Sequence, residues 1–308
     1  MPGPHWAILG LGIPAVLGLL LMLLAAGLTR WRGPAAAMAW PLACAGGLAV
    51  GAWAVNDWPT WPATDPDSRL FYLVLPAALL VELLGALPGV PRWIIWPLRG
   101  LIALALGRVL LHGSVYLVEQ PFSEEQVWSA GRQGAWWLGI AAVVMLPWLA
   151  LHWICMRAAT PARSIPLSLA IVALGAGVLI FTSGSQSGGQ MALSVMAALL
   201  GGWLGSFALR RGGSFAAAVG MSLVLIAGLL IIGRFFAQVT TPAALLVMLA
   251  PLAGLLAEVP MLHRRRSRPW LAGAVRIVAV AIPVSIAVVP NVVGFLHDVS
   301  THTSDDGY

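Results

Sequence analysis

Charged residues are scarce in this chain, and they fall between long apolar runs rather than within them. Only 9% of the 308 residues are charged, whereas 60% are hydrophobic. A soluble domain, by contrast, is about one quarter charged. Apolar runs of about twenty residues suit the hydrocarbon core of a bilayer, which is about 30 Å thick. The sequence therefore predicts an all-α, polytopic integral membrane protein.

The apolar runs predict about ten transmembrane helices, which are counted in chain order. Their predicted ranges are 6–28, 35–55, 70–90, 93–112, 134–155, 165–182, 191–209, 214–233, 242–262 and 270–290. The charges between the helices support this count, because leaving out one helix would mix two kinds of connection that the sequence keeps apart.

Alternate connections carry opposite charge. Of the 14 arginines in connections, 11 fall in one alternating set, which contains no acidic residue. All 9 acidic residues outside the predicted helices fall in the other set, which includes the C-terminal tail. Arginine-rich short loops stay on the cytoplasmic side. We therefore expect a bacterial cytoplasmic (inner) membrane protein with both termini on the outer side.

The basic character of the chain follows from the same connections. Arginine supplies all 17 basic residues, and the isoelectric point is about 10.6. Because the arginines cluster between helices, they do not indicate nucleic acid as a partner. The expected partners are the lipid bilayer, lipid headgroups and, if the chain belongs to a complex, other membrane protein subunits.

A weak internal similarity relates the third and fourth helices to the ninth and tenth. Glu82 and Glu258 lie 176 residues apart, and Arg99 and Arg276 lie 177 apart, as do Trp93 and Trp270. This offset predicts a parallel repeat of helices 1–4 and 7–10, with two helices between. A chance origin stays open, because Pro-Ala-Ala-Leu-Leu-Val recurs at 76–81 and 242–247 with a different offset.

The repeat divides the chain into four parts. Residues 1–112 form the first four-helix unit and residues 191–290 the second. Residues 113–190 hold an outer amphipathic loop, helices 5 and 6 and a polar linker at 182–190, for which a re-entrant segment is the alternative. Residues 291–308 form an outer polar tail.

Four ionisable residues fall inside predicted helices as two matched pairs. A charge in hydrocarbon costs about 2.5 kcal/mol or more, so each needs a partner or a purpose. Glu82 and Arg99 lie at similar depth, about 10 Å from the inner ends of consecutive helices. Glu258 and Arg276 match in the same way. We expect two ion pairs that either lock their hairpins or couple a proton or ion to transport.

A further arginine, Arg108, lies near the outer end of the fourth helix, and His112 follows one turn later on the same side. Two interpretations are open. The Arg108 side chain either reaches outward to acids of the next loop, or it contacts an anion or lipid headgroup.

The acidic residues Asp57, Asp65 and Asp67 lie in the outer segment 56–69, which also contains three prolines and two tryptophans. Such a segment is typical of a loop anchored at the interface. Alternatively, its acids hold a metal ion in an enzyme that acts on lipid-linked substrates. Asp-Pro-Asp by itself is a common turn sequence and does not distinguish the two.

The chain contains no HExxH, GxSxG, P-loop or CxxC motif, so we expect no cofactor and no resident metal, and the sequence favours a non-catalytic function over a catalytic one. The first hypothesis is a transporter or channel for a small solute or lipid. The second is a non-catalytic scaffold or accessory subunit of a membrane complex. The third is a membrane-embedded transferase that uses lipid-linked substrates. The position and polarity of any cavity should distinguish them.

Overall fold

The computed structural model describes residues 7–29, 35–55, 58–117, 128–157, 163–209, 215–258 and 269–305, and within these ranges it contains helices and turns but no strand. Ten helices are long and apolar enough to span a membrane. The predicted all-helical class and the count of ten such helices are therefore confirmed. The helices are α1 Ile13–Thr29, α2 Ala35–Ala54, α3 Pro66–Ala86, α4 Arg92–Leu110, α5 Ala130–Arg157, α6 Ser164–Thr182, α7 Gln186–Gly205, α8 Ala216–Phe236, α9 Thr241–Ala253 and α10 Pro269–Asp305.

Four helices contain or adjoin turns of another type, and α7 is one of them because the 3₁₀ turn Ser206–Ala208 follows it. A π-helical turn, Ala7–Gly12, precedes α1, and another, Leu70–Val74, lies inside α3. A 3₁₀ turn, Gly254–Glu258, extends α9. These turns are continuous with their helices, so each span keeps its length.

The boundaries of two predicted segments differ in the structure. The stretch 186–190, predicted as linker, is the first turn of α7, because the side chain of Ser185 caps the helix by accepting from the Gly188 amide. Residues 291–305, predicted as a polar tail, continue α10. Packing helps to extend α10, since the centroid of the Phe295 ring lies 6.3 Å from that of Phe181 on α6.

Helix α8 lies at the centre of the bundle. It contacts seven other helices, α2 through α7 and α9, which surround it. Every residue from Ala216 to Gly233 is buried. A helix that is apolar on all sides suits this position, because its polar backbone groups are satisfied internally. Helix α1 packs outside the ring against α2 and α7, and α10 packs outside it against α6 and α9.

The two helices that lie outside the ring around α8, α1 and α10, each run parallel to one helix of that ring. Going along α1, Gly10, Ala15 and Met22 meet Ser194, Gly201 and Gly205 of α7 in the same order. Along α10, Arg276, Val284 and Phe295 likewise meet Ser164, Gly175 and Phe181 of α6. Helix α1 therefore begins at the end of the bundle where α10 finishes. We call this the acidic end, where α3, α5, α7 and α9 begin, and the opposite one the arginine end.

The proposed repeat stays a prediction. It would match α2 with α8, and these two helices have different surroundings. Helix α8 has neighbours on all sides, whereas α2 lies in the ring between α1, α3, α7 and α8. If the two units are related, the equivalent helices α2 and α8 occupy different positions in the bundle.

Candidate functional site

A buried ion pair joins α3 to α4 toward the arginine end. Arg99 Nε donates to Glu82 Oε1 at 2.8 Å, and Arg99 Nη2 donates to Glu82 Oε2, also at 2.8 Å. Their side chains are only 6% and 1% exposed. The predicted pairing is thus present as a two-point fork, the strongest geometry for a guanidinium and a carboxylate.

Aromatic rings and a glycine complete the surroundings of this pair. The Arg99 Cζ atom lies 5.0 Å from the centroid of the Trp96 ring and 5.3 Å from that of Trp148 on α5. On the other side, Glu82 fills the space beside Gly220 of α8, where an added Cβ would lie 2.4 Å from the Glu82 Cδ atom. Sequence analysis did not find Gly220, because nothing in the chain pattern shows which glycine faces a carboxylate.

The second pair is also formed, closer to the arginine end. Arg276 Nη2 donates to Glu258 Oε1, and Arg276 Nη1 donates to the Ser164 hydroxyl. The Arg276 residue is 5% exposed. Gly254 leaves room for it, since a Cβ at that position would lie 3.0 Å from Arg276 Cγ. Arg276 therefore connects α10 to both the end of α9 and the start of α6.

The segment that precedes α3 is held by hydrogen bonds. Asp65 caps the helix, since its Oδ1 accepts from the Ser68 amide at 3.0 Å and its Oδ2 accepts from the Ser68 hydroxyl at 2.6 Å. Asp67 lies in the first turn and is partly buried. Asp57 lies outside the described residues. Within the described ranges, no three His, Cys, Asp or Glu residues are grouped so as to hold a metal ion.

Arg69 connects the same segment to the turn that follows α4, a role that sequence analysis missed. It is 9% exposed, and its guanidinium donates to the backbone carbonyls of Ala63, Thr64 and His112. The sequence showed it only as an outer-loop charge. Its burial depends on carbonyls that come together only after folding.

Arg108 and His112 are both exposed at the acidic end of α4. The Arg108 Cζ atom lies 5.7 Å from the centroid of the Trp137 ring on α5. The backbone carbonyl of His112 accepts from Arg69. The acids of the next loop that Arg108 was predicted to reach, Glu119, Glu124 and Glu125, lie outside the described residues.

An apolar cavity of about 440 Å³ lies between α5, α8 and α9, on the side of the bundle away from α1. Its surface is almost wholly apolar, and the few polar residues that border it lie at one end. The walls are Ala135, Trp136, Gly139, Ile140, Val143, Val144, Ala227, Leu230, Ile231, Phe235, Ala244, Leu245 and Met248.

Two arginines and a threonine form the polar end of this cavity. Arg132 stands in the first turn of α5, Arg234 in the last turn of α8, and Thr241 is the first residue of α9. All three therefore lie at the acidic end. Arg234 Nε donates to Thr241 Oγ1 at 2.5 Å, which orients the guanidinium. Sequence analysis overlooked this site, because Arg132 and Arg234 are 102 residues apart and form no recognisable motif.

An aromatic cluster borders the polar end. The Trp128 and Trp136 rings stack with centroids 5.4 Å apart, and Phe235 meets both edge-on. The Arg132 Cζ atom lies 5.8 Å from the Trp128 ring centroid, and the Arg234 Cζ atom lies 5.5 Å from that of Phe235. Amphipathic rings next to guanidinium groups are typical of the headgroup level of a bilayer.

These features define a helical bundle with ten helices long and apolar enough to cross a membrane, two buried ion pairs and a lateral apolar cavity. No family model matches the chain, and no curated protein matches it in sequence.

Proposed function

We propose that this chain is an integral protein of a bacterial cytoplasmic membrane, with the acidic end outside. The ten apolar helices support insertion. The segregation of loop charge supports the orientation, because the arginine-rich connections would then stay in the cytoplasm. In this orientation the polar end of the cavity, its rim, lies at the outer surface together with the aromatic cluster.

We further propose that the protein is a transporter that takes up an anionic lipid or lipid-like amphiphile from the outer leaflet. The observation that carries this proposal is the apolar cavity with Arg132 and Arg234 at its end. Carbon walls suit an acyl chain, and two guanidinium groups suit a phosphate or carboxylate.

The depth of the cavity matches one leaflet. Val144 follows Arg132 by twelve residues along α5, which corresponds to about 18 Å. Half of a 30 Å hydrocarbon core is about 15 Å. A chain anchored by its headgroup at the arginines would therefore reach about the middle of the bilayer. A polar solute gains little from such walls, so of the two substrate classes left open by the sequence the cavity favours the lipid.

Lipid retention tests the proposal directly. The full chain would be purified into nanodiscs made from equal parts of phosphatidylglycerol and phosphatidylcholine, and the lipids that remain bound would be counted by native mass spectrometry after release. We expect phosphatidylglycerol to be enriched. Replacing both rim arginines (Arg132→Gln with Arg234→Gln) should lower that enrichment at least tenfold, because the charge-assisted hydrogen bonds are lost.

Two glycines provide a test of the cavity and its matched control. Gly139 lines the cavity, and an added Cβ there would touch nothing within 4 Å. Gly139→Leu should therefore fill the cavity without disturbing the backbone and displace the lipid. Gly100 on α4 is equally open but lies outside the cavity, so Gly100→Leu should leave lipid retention unchanged. Equal effects of the two leucines would reject the cavity as the binding site.

Transport has a separate readout. In vesicles, the full chain should accelerate movement of a fluorescent phosphatidylglycerol analogue between leaflets, and Gly139→Leu should abolish that acceleration. Retention without movement would reduce the proposal to lipid binding. A protein that co-purifies in fixed stoichiometry, with no enriched lipid, would instead support the scaffold hypothesis.

A further inference from the structure

A second cavity, distinct in chemistry from the first, opens at the acidic end. Its volume is about 850 Å³, within the range of about 300–1,000 Å³ for small-molecule sites. It lies among the end of α2, the α6–α7 turn and the α8–α9 turn. The described residues that line it are Val55, Ser183, Gly184, Ser185, Gln186, Ser187, Gln190, Phe236, Ala237 and Gln238. None of them is charged.

The α6–α7 turn is short and well defined. Gly184 adopts a φ of +104°, in the left-handed region that favours glycine. The Ser183 hydroxyl donates to the Leu179 carbonyl at 2.8 Å, and the Ser185 hydroxyl accepts from the Gly188 amide at 3.3 Å. This capped turn starts α7 at Gln186, so Gln186 and Gln190 project from the same face one turn apart.

Gln190 is the residue that points to a ligand. It is 95% buried, since its relative exposure is 5%, and it borders the cavity. Among the described residues, no side chain or backbone group forms a hydrogen bond with its amide. The side-chain amide of Gln190 borders the cavity and is not sealed inside the protein, so it is available to a ligand there. A bound polar group in the cavity would satisfy it.

The opposite wall contributes a third amide and a ring. Gln238 has a φ of 60°, and it is the one non-glycine residue with positive φ in the described part of the chain. The Ala237 and Val239 amides both donate to the Gly233 carbonyl, at 3.1 and 3.0 Å, which holds this conformation. Left-handed backbone at a non-glycine residue is often found where a side chain is positioned for function. The neighbouring Phe236 ring is 47% exposed.

We propose that this cavity binds an uncharged saccharide, either free or as the headgroup of a glycolipid. Each glutamine amide offers donors and an acceptor, so it can bond two adjacent hydroxyl groups at once. The serine hydroxyls add further partners, and the exposed Phe236 ring suits the apolar C–H face of a sugar. The absence of charged side chains from the described lining favours a neutral ligand over an ionic one. This site is separate from the lipid cavity, and it does not depend on the proposed transport function.

Binding would be measured with the full-length protein in lauryldimethylamine oxide, because a maltoside detergent carries a sugar headgroup that would compete. Maltose would be titrated and followed by saturation-transfer NMR, with glucuronate and glucosamine as charged comparisons. A second arm would use nanodiscs with or without diglucosyl-diacylglycerol. If the ligand is a free saccharide, we expect maltose to bind at least tenfold more tightly than either charged sugar. Binding confined to the diglucosyl lipid would identify a headgroup site.

Three variants test the amides. Gln190→Leu keeps the buried volume and removes the amide, and it should weaken binding about tenfold. Gln186→Ala changes an exposed residue and Gln238→Gly suits the positive φ, so both should fold and weaken binding severalfold. Asn291→Ala on α10 removes an amide outside the cavity and should have no effect. The proposal is overturned if neither neutral sugar form binds, if a charged sugar binds best, or if Gln186→Ala and Gln238→Gly bind as well as the unchanged protein.

Discussion

Three buried arginines show, at the scale of single residues, how a guanidinium is kept inside this bundle. Arg99 pairs with both oxygens of Glu82, Arg276 shares its donors between Glu258 and Ser164, and Arg69 donates to three backbone carbonyls. A guanidinium has five donors and cannot lose its charge in a protein. Each of these sites therefore supplies several acceptors rather than one.

The fork between Glu82 and Arg99 yields a prediction about stability. Glu82→Gln should destabilise the folded protein by about 3–5 kcal/mol, because it leaves the buried Arg99 charge without its counter-ion. The free energy of unfolding would be measured by circular dichroism as sodium dodecyl sulfate is added to mixed micelles.

A double variant serves as the control for that measurement. Glu82→Leu combined with Arg99→Met removes both charges and should recover most of the lost stability, since apolar replacement of a buried pair is often neutral. If the single variant costs less than about 1 kcal/mol, or the double variant costs more than the single one, the pair is not a structural lock.

At the scale of helices, close glycine packing sets the contact between α1 and α7. A Cβ at Gly201 would lie 1.8 Å from the Ala15 carbonyl oxygen, and a Cβ at Gly18 would lie 2.2 Å from that of Ala198. Small residues let helix backbones approach in membranes, where packing rather than the hydrophobic effect drives association. The spacing of Gly201 and Gly205 matches the small-xxx-small pattern, although sequence alone did not name the partner helix.

Gly201→Ala should therefore force α1 and α7 apart. We expect a loss of about 1–3 kcal/mol in the free energy of unfolding, as for other overpacked contacts. Gly27→Ala on α1 is the control, because a Cβ there meets nothing within 4 Å and alanine favours the helix. A Gly201→Ala protein as stable as the Gly27→Ala protein would contradict the close contact.

The sequence predicted which segments form helices better than it predicted the residues at which those helices begin and end. Long apolar runs predicted all ten helices. The ends were less predictable, because capping by Ser185 turned a polar stretch into the start of α7, and packing of Phe295 extended α10 past its apolar run. Local composition does not contain such contacts.

At the scale of the whole molecule, the alternation of helix direction places the start of α1 and the end of α10 at one end of the bundle. The same end contains Asp65, the rim arginines and both cavities. In a membrane, that arrangement would present the two candidate binding sites to one aqueous side.

Reporter fusions test the orientation. Fusions after residues 32, 62, 160 and 305 should report cytoplasm, outside, cytoplasm and outside, because the arginine-rich connections resist translocation. A cytoplasmic reading at 305 would reject the topology. Replacing Arg264, Arg265 and Arg266 with glutamine should weaken the cytoplasmic signal at that connection, and the same number of changes among the outer acids should not.

The sequence by itself determined the all-helical class, the ten apolar helices and the partners of the buried glutamates, because length, hydropathy and depth along a helix are local properties. Only the tertiary structure decided which helix is central, where the cavities lie and which glycines leave room for a side chain of a neighbouring helix. The physical reason is that protein and lipid surroundings are similarly apolar. Apolar residues therefore look alike in sequence whether they pack against α8, line a cavity such as that of Arg132 and Arg234, or lie on the outside of the bundle.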